Sequence, residues 1–232
     1  MAFNTDAILL LPALLCDSRL YKSVINHFAE GVEVSVADTQ ADDNLADMAA
    51  RAIENMPDRF AIVGNSLGGY LALEIATRVP HRISHLALIG TNAHADSTEA
   101  RKKRMQAIKL ADRGKFTAFV DGYVESALSE NNRMRHAPLV REMARDLGAD
   151  VLVRQQRAIM ERTSREASLC DIAVPSLVMF GREDTLADHA HQQEMAKRLP
   201  NCRYVEVPKC GHLVPLEAPA MLTTALAALI SA

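Results

Sequence analysis

The chain has 232 residues, enough to bury one substantial core within a single domain. Its 49% hydrophobic and 24% charged residues give the balance of a globular protein. A net charge of −3 carries no basic excess and argues against a nucleic-acid partner.

The first apolar run, Ala7–Pro12, reads as a buried strand. Acidic Asp6 precedes it without any Lys or Arg, and Leu15 is too large for a small-residue cleavage site. The run is also far too short to span a membrane. A cytoplasmic protein without membrane attachment is expected. Five further runs read as strands: Val32–Ala37, Phe60–Gly64, His85–Gly90, Ser176–Gly181 and Arg203–Val207. Between them, helical spacing appears near Asp17–Ala29, Asn44–Asn55, Leu67–Val79, Asp188–Leu199 and Pro215–Ile230. Aliphatic strands that alternate with helices predict a parallel sheet covered on both faces.

The interval from Asn92 to Cys170 interrupts this alternation. It is too long for a plain loop and carries helical spacing throughout. The reading is a helical lid, residues 92–170, inserted into a core made of residues 1–91 and 171–232. The lid holds 15 Lys+Arg against 11 Asp+Glu, so it is basic while the remainder is acidic. Arg141 and Arg145 share one helix face at i,i+4, and Arg154 and Arg157 can share another at i,i+3. The four cysteines, Cys16, Cys170, Cys202 and Cys210, form no CxxC pair and no cluster with histidine. They read as reduced thiols rather than metal ligands.

The chemistry concentrates where the third strand meets its helix, in FAIVGNSLGGYLALEIATRV. A bare GxSxG arises by chance in on the order of one chain in ten of this length. Here it follows an apolar strand and opens a helix, the context of a nucleophile elbow. Gly64 and Gly68 permit a sharp turn, which exposes the Ser66 hydroxyl. Gly69 suits close packing of the helix. The Leu67 N–H falls at a helix N-terminus, where a developing oxyanion is stabilised.

A serine nucleophile needs a base, and the base needs an orienting acid. GREDTL places Asp184 after the fifth strand, and GHLVPLEAP places His212 after the sixth. Glu183 and Asp188 compete with Asp184 for the acid role. His189 and His191 read as helix-surface residues.

Together, in this order and spacing, GNSLGG, GREDTL and GHLVPLEAP resemble the α/β-hydrolase superfamily of serine hydrolases. The resemblance spans nearly the whole chain. It implies an α/β-hydrolase fold with a mostly parallel sheet of about six strands, lacking the N-terminal β-hairpin, and a helical lid between the fourth and fifth strands. It implies a Ser66–His212–Asp184 triad and no metal or organic cofactor. The second oxyanion donor usually lies in a His-Gly-X stretch; Pro12-Ala13-Leu14 stands there, making Leu14 the donor and Leu15 the alternative.

The expected activity is hydrolysis of carboxylic esters with small to medium acyl groups. The alternatives are carbon–carbon bond cleavage of aromatic ring-fission products, hydrolysis of an ester or thioester on an acyl-carrier protein, and a non-catalytic ligand receptor. The basic lid faces would suit an acidic carrier protein.

Overall fold

A computed structural model describes Asn4, Thr5 and residues 7–231. The expected lack of an N-terminal β-hairpin concerns Met1–Asp6, most of which lie outside the described residues.

Among the described residues, six strands form one sheet: β1 (Ala7–Leu11), β2 (Glu33–Val36), β3 (Phe60–Asn65), β4 (Ile83–Ile89), β5 (Ser176–Gly181) and β6 (Cys202–Val207). Their order is β2-β1-β3-β4-β5-β6, and every pairing is parallel. β1, β3, β4 and β5 are buried along their whole length, which is why they read as unbroken aliphatic runs. β2 and β6 lie at the edges and are only partly buried. β4 starts at Ile83, two residues ahead of the expected His85. Ser84 and His85 break the apolar run, yet both are buried in the strand.

The helices of the alternating core are α1 (Lys22–Phe28), α2 (Leu45–Ile53), α3 (Leu67–Arg78), α8 (His189–Arg198), α9 (Val214–Glu217) and α10 (Pro219–Ile230). A single helix was expected over Pro215–Ile230. It is broken at Ala218, which sits at φ −138°, ψ 53°. Pro219 has no N–H to continue α9 and disfavours helical backbone in the residue before it. The Asn44 side chain caps α2 by accepting from Asp47 N–H at 2.9 Å.

Four helices connect β4 to β5: α4 (Thr98–Asp112), α5 (Phe116–Ala127), α6 (Glu130–Leu147) and α7 (Ala149–Met160). α4 packs against α7 and α5 against α6. Gly148, at φ 85°, separates α6 from α7. No described helix is long and apolar enough to cross a membrane.

Candidate active site

β3 ends at Asn65 and α3 begins at Leu67, so Ser66 makes the reversal alone. Its backbone sits at φ 58°, ψ −113°, a conformation that a residue with a side chain adopts only when its surroundings impose it. Those surroundings are tight. A Cβ on Gly64 would lie 2.1 Å from the Gly68 carbonyl oxygen, and one on Gly68 would lie 1.9 Å from that of Leu11. Only glycine lets strand, turn and helix approach this closely. Ser66 N–H donates to Ile89 O at 2.9 Å, and Thr91 Oγ1 donates to the Ser66 carbonyl at 3.0 Å. The turn is thereby tied to the end of β4.

The loop after β5 carries Asp184. Its Oδ2 lies 2.8 Å from His212 Nδ1, while Oδ1 accepts from Leu186 N–H at 2.8 Å and Ala187 N–H at 3.1 Å. Burial by itself raises a carboxyl pKa. Here the charge and hydrogen bond of His212, with the two backbone N–H groups, outweigh it and hold Asp184 below the ordinary carboxylate range. Of the competing carboxylates, Glu183 is exposed, and Asp188 accepts from Ala190 N–H at 2.7 Å as the cap of α8.

His212 is clamped at its backbone. Its N–H donates to Ala127 O at 2.9 Å, and its carbonyl accepts from Asn65 Nδ2 at 3.1 Å. Asn65 Nδ2 also reaches Ile89 O at 3.0 Å, which joins the histidine loop to the serine turn. Gly90, at φ 53°, lies beside the pair; a Cβ there would come within 3.2 Å of His212 Nδ1 and 3.3 Å of Asp184 Oδ2. Glu217 braces the same loop from below. Its carboxylate accepts from Gly211 N–H at 3.1 Å, Ser129 N–H at 2.9 Å and Ser129 Oγ at 2.6 Å.

The backbone after β1 differs from what its glycine-poor sequence suggests. Ala13 is unstrained; the left-handed residue is Leu15, at φ 52°. Leu15 N–H donates to Gln155 Oε1 at 2.9 Å, and Gln155 Nε2 donates to Thr39 O at 3.2 Å and Thr39 Oγ1 at 3.1 Å. Leu15 N–H is therefore engaged, whereas Leu14 N–H and Leu67 N–H have no acceptor among the described residues. Cys16 and Cys210 are buried, and burial pushes both thiols well above their ordinary range. They are inert packing rather than reactive groups.

Ser66, His212 and Leu14 line one open cavity of about 750 Å³, roofed by α4, α5 and α7. Its walls are apolar at Leu110, Phe119 and Ile159 and polar at Lys103, Arg104 and Gln156. Of the supporting groups, Asn65 and Glu217 lie inside the quoted motifs, but nothing in those motifs marks them as braces. Gln155 carries no local signal, because it reaches the site from a distant helix.

Comparison with known proteins gives the class. Residues 36–219 match the model of the alpha/beta hydrolase fold family, and the chain belongs to that family. Among curated relatives, the pimeloyl-[acyl-carrier protein] methyl ester esterase of Aromatoleum aromaticum (strain DSM 19018 / LMG 30748 / EbN1) is 26% identical over 181 residues, covering 72% of each chain. A Bacillus subtilis (strain 168) protein named "Putative 2-succinyl-6-hydroxy-2,4-cyclohexadiene-1-carboxylate synthase" is 30% identical over 220 residues, 90% of this chain and 80% of that one. The crystal structure of the enol-lactonase from Burkholderia xenovorans LB400 superposes with a TM-score of 0.88 at 19% identity, covering 99% of this chain and 92% of that one. That likeness speaks for the fold.

Proposed function

We propose that this chain hydrolyses carboxylic esters of small to medium acyl groups through Ser66, His212 and Asp184. The observation that carries the reading is the buried Asp184–His212 pair opening onto the same cavity as a strained, glycine-flanked Ser66. An esterase among the relatives supports it.

In this mechanism, Ser66 Oγ attacks the ester carbonyl carbon while His212 Nε2 takes the hydroxyl proton. Asp184 holds Nδ1–H and stabilises the imidazolium. The carbonyl oxygen becomes an oxyanion and accepts from Leu67 N–H and Leu14 N–H, each contributing about 3–4 kcal/mol in comparable sites. Collapse passes the proton from Nε2 to the departing alkoxy oxygen, releasing the alcohol and leaving an acyl-serine. Water, deprotonated by His212, then attacks that ester, and the second collapse returns the proton to Ser66 Oγ and frees the acid. None of these steps calls for a metal or organic cofactor.

The helices from α4 to α7 act as a lid over the cavity, and residues 92–170 form the unit that carries them. The test is a screen of p-nitrophenyl esters of graded acyl length, beside an acyl-carrier ester and a ring-fission dienol acid. Turnover concentrated on short and medium esters is expected. Dienol-acid cleavage without ester turnover would replace the esterase with a carbon–carbon hydrolase. Ligand binding without turnover of any substrate would favour a receptor.

A further inference from the structure

Both connections of the α4–α7 segment to the core pass one patch of side chains that the proposed mechanism leaves unused. The chain leaves β4 through His94 and returns to β5 through the 3-10 helix Glu166–Asp171. These two crossings are bonded to each other: Arg165 N–H donates to Ala93 O at 2.7 Å, and Arg162 Nε donates to His94 O at 2.9 Å. α8, which follows β5, packs against that 3-10 helix. Its His191 and Glu194 are three residues apart and share one face.

Four side chains from these three segments meet. His94 Nδ1 lies 2.8 Å from Glu166 Oε2, and the centre of the His191 ring lies 4.1 Å from that of His94. Ligating atoms of His94, Glu166 and Glu194 all lie within 4.8 Å of one another. Ser164 Oγ donates to Glu166 Oε2 at 3.0 Å and steadies that carboxylate from outside the group. Acidic residues alone often gather without a common ligand, but here two imidazoles stand among two carboxylates. Imidazole nitrogen with carboxylate oxygen suits zinc, whereas calcium and magnesium take oxygen alone.

A tetrahedral zinc ion, about 2.0–2.1 Å from each ligand, sets its ligands about 3.3 Å apart. The His94–Glu166 pair would open by about half an ångström, and the wider pairs would close. Such movements are open to side chains that are a quarter to a half exposed. A guanidinium now stands loosely between the carboxylates: Arg198 Nη2 is 2.7 Å from Glu194 Oε1 and 3.9 Å from Glu166 Oε1. Two like charges this close favour a cation beside them, and a metal ion would take over that part while Arg198 turns to water.

We propose that His94, His191, Glu166 and Glu194 bind one zinc ion, which fastens both ends of the α4–α7 segment to α8. The assignment does not depend on the ester reading. Its effect is on stability rather than chemistry, although the loop that carries His94 also carries Thr91, whose hydroxyl holds the Ser66 carbonyl.

The test is calorimetric titration of the EDTA-treated, desalted protein with ZnCl2, beside CaCl2 and MgCl2, together with melting curves. The expected result is one equivalent of bound Zn2+ and a Tm that rises with the logarithm of zinc concentration, with neither effect from Ca2+ or Mg2+. His94→Ala, His191→Ala and Glu194→Ala, each checked for its fold by circular dichroism without metal, should weaken zinc binding by about tenfold or more. Arg198→Ala removes the competing cation and should bind zinc more tightly, a gain that loss of fold cannot imitate. No zinc binding, a Tm that zinc leaves unchanged or lowers, binding undiminished in any of the three ligand variants, or weaker binding in Arg198→Ala would overturn the assignment.

Discussion

Ser66 and Asp184 are each held in a state that an isolated residue would not choose. Ser66 has a left-handed φ, which glycine accepts without cost and alanine does not. Ser66→Gly is therefore expected to unfold at a higher temperature than Ser66→Ala, reversing the usual order of the two residues; calorimetry of both variants decides it. Asp184 is held ionised by His212 and two backbone N–H groups despite its burial. Under the proposed mechanism Asp184→Asn should lower kcat roughly 10⁴-fold, the loss typical of Ser-His-Asp sites. Because the folded carboxyl lies below its unfolded value of about 3.9, its stabilisation is present above that pH and lost as pH falls through the folded value. The Tm gap between wild type and Asp184→Asn should accordingly shrink below about pH 4. Ser66, Asp184 and His212 were legible because each follows a strand end that the hydrophobic pattern marks. The hold of α5 on the histidine and aspartate loops, through the Ala127 and Ser126 carbonyls, was not, since only the fold brings that helix over them.

Between the elements, the decisive contact is Gln155 of α7 with the loop after β1. It crosses 140 residues of sequence and engages the N–H of a left-handed leucine. Gln155→Leu would leave Leu15 N–H and both Thr39 acceptors unpaired in the interior, each a penalty of about 1–3 kcal/mol. The expected outcome is a lower Tm together with a fall in kcat that exceeds any rise in KM, because in the proposed mechanism the Leu14 N–H acts chiefly on the transition state. Steady-state kinetics with a short p-nitrophenyl ester checks this; a pure KM effect would separate Gln155 from the oxyanion loop. The six strands were readable because four of them are buried on both faces. The break at Ala218 was missed because the apolar periodicity of Pro215–Ile230 continues across it and masks the effect of Pro219.

Across the whole molecule, charge is divided unevenly, with the segment from Asn92 to Cys170 basic and the remainder acidic. Several of its arginines are engaged by partners within the chain. Arg141 pairs with Asp121 at 2.8 Å, Arg154 donates to Gln40 O at 2.6 Å, and Arg104 and Arg162 share Asp96. Arg157 lies 3.9 Å from Asp43, and Arg145 is exposed. With Arg141 paired to Asp121, the i,i+4 arginines make a weaker docking pair than their spacing suggests, although the segment keeps its net positive charge. Charge reversal at Arg141 and Arg145 is expected to alter kcat/KM equally for a carrier-bound ester and its free methyl ester, at low and high salt. A loss confined to the carrier-bound ester at low salt would show a docking face after all. The central claim remains that this fold presents Ser66 as an activated nucleophile. The most direct measurement is intact-mass and peptide mapping after exposure to a fluorophosphonate. The account predicts one adduct, on Ser66, absent from Ser66→Ala and strongly slowed in His212→Ala. An adduct on another residue, or labelling that persists in Ser66→Ala, would contradict it.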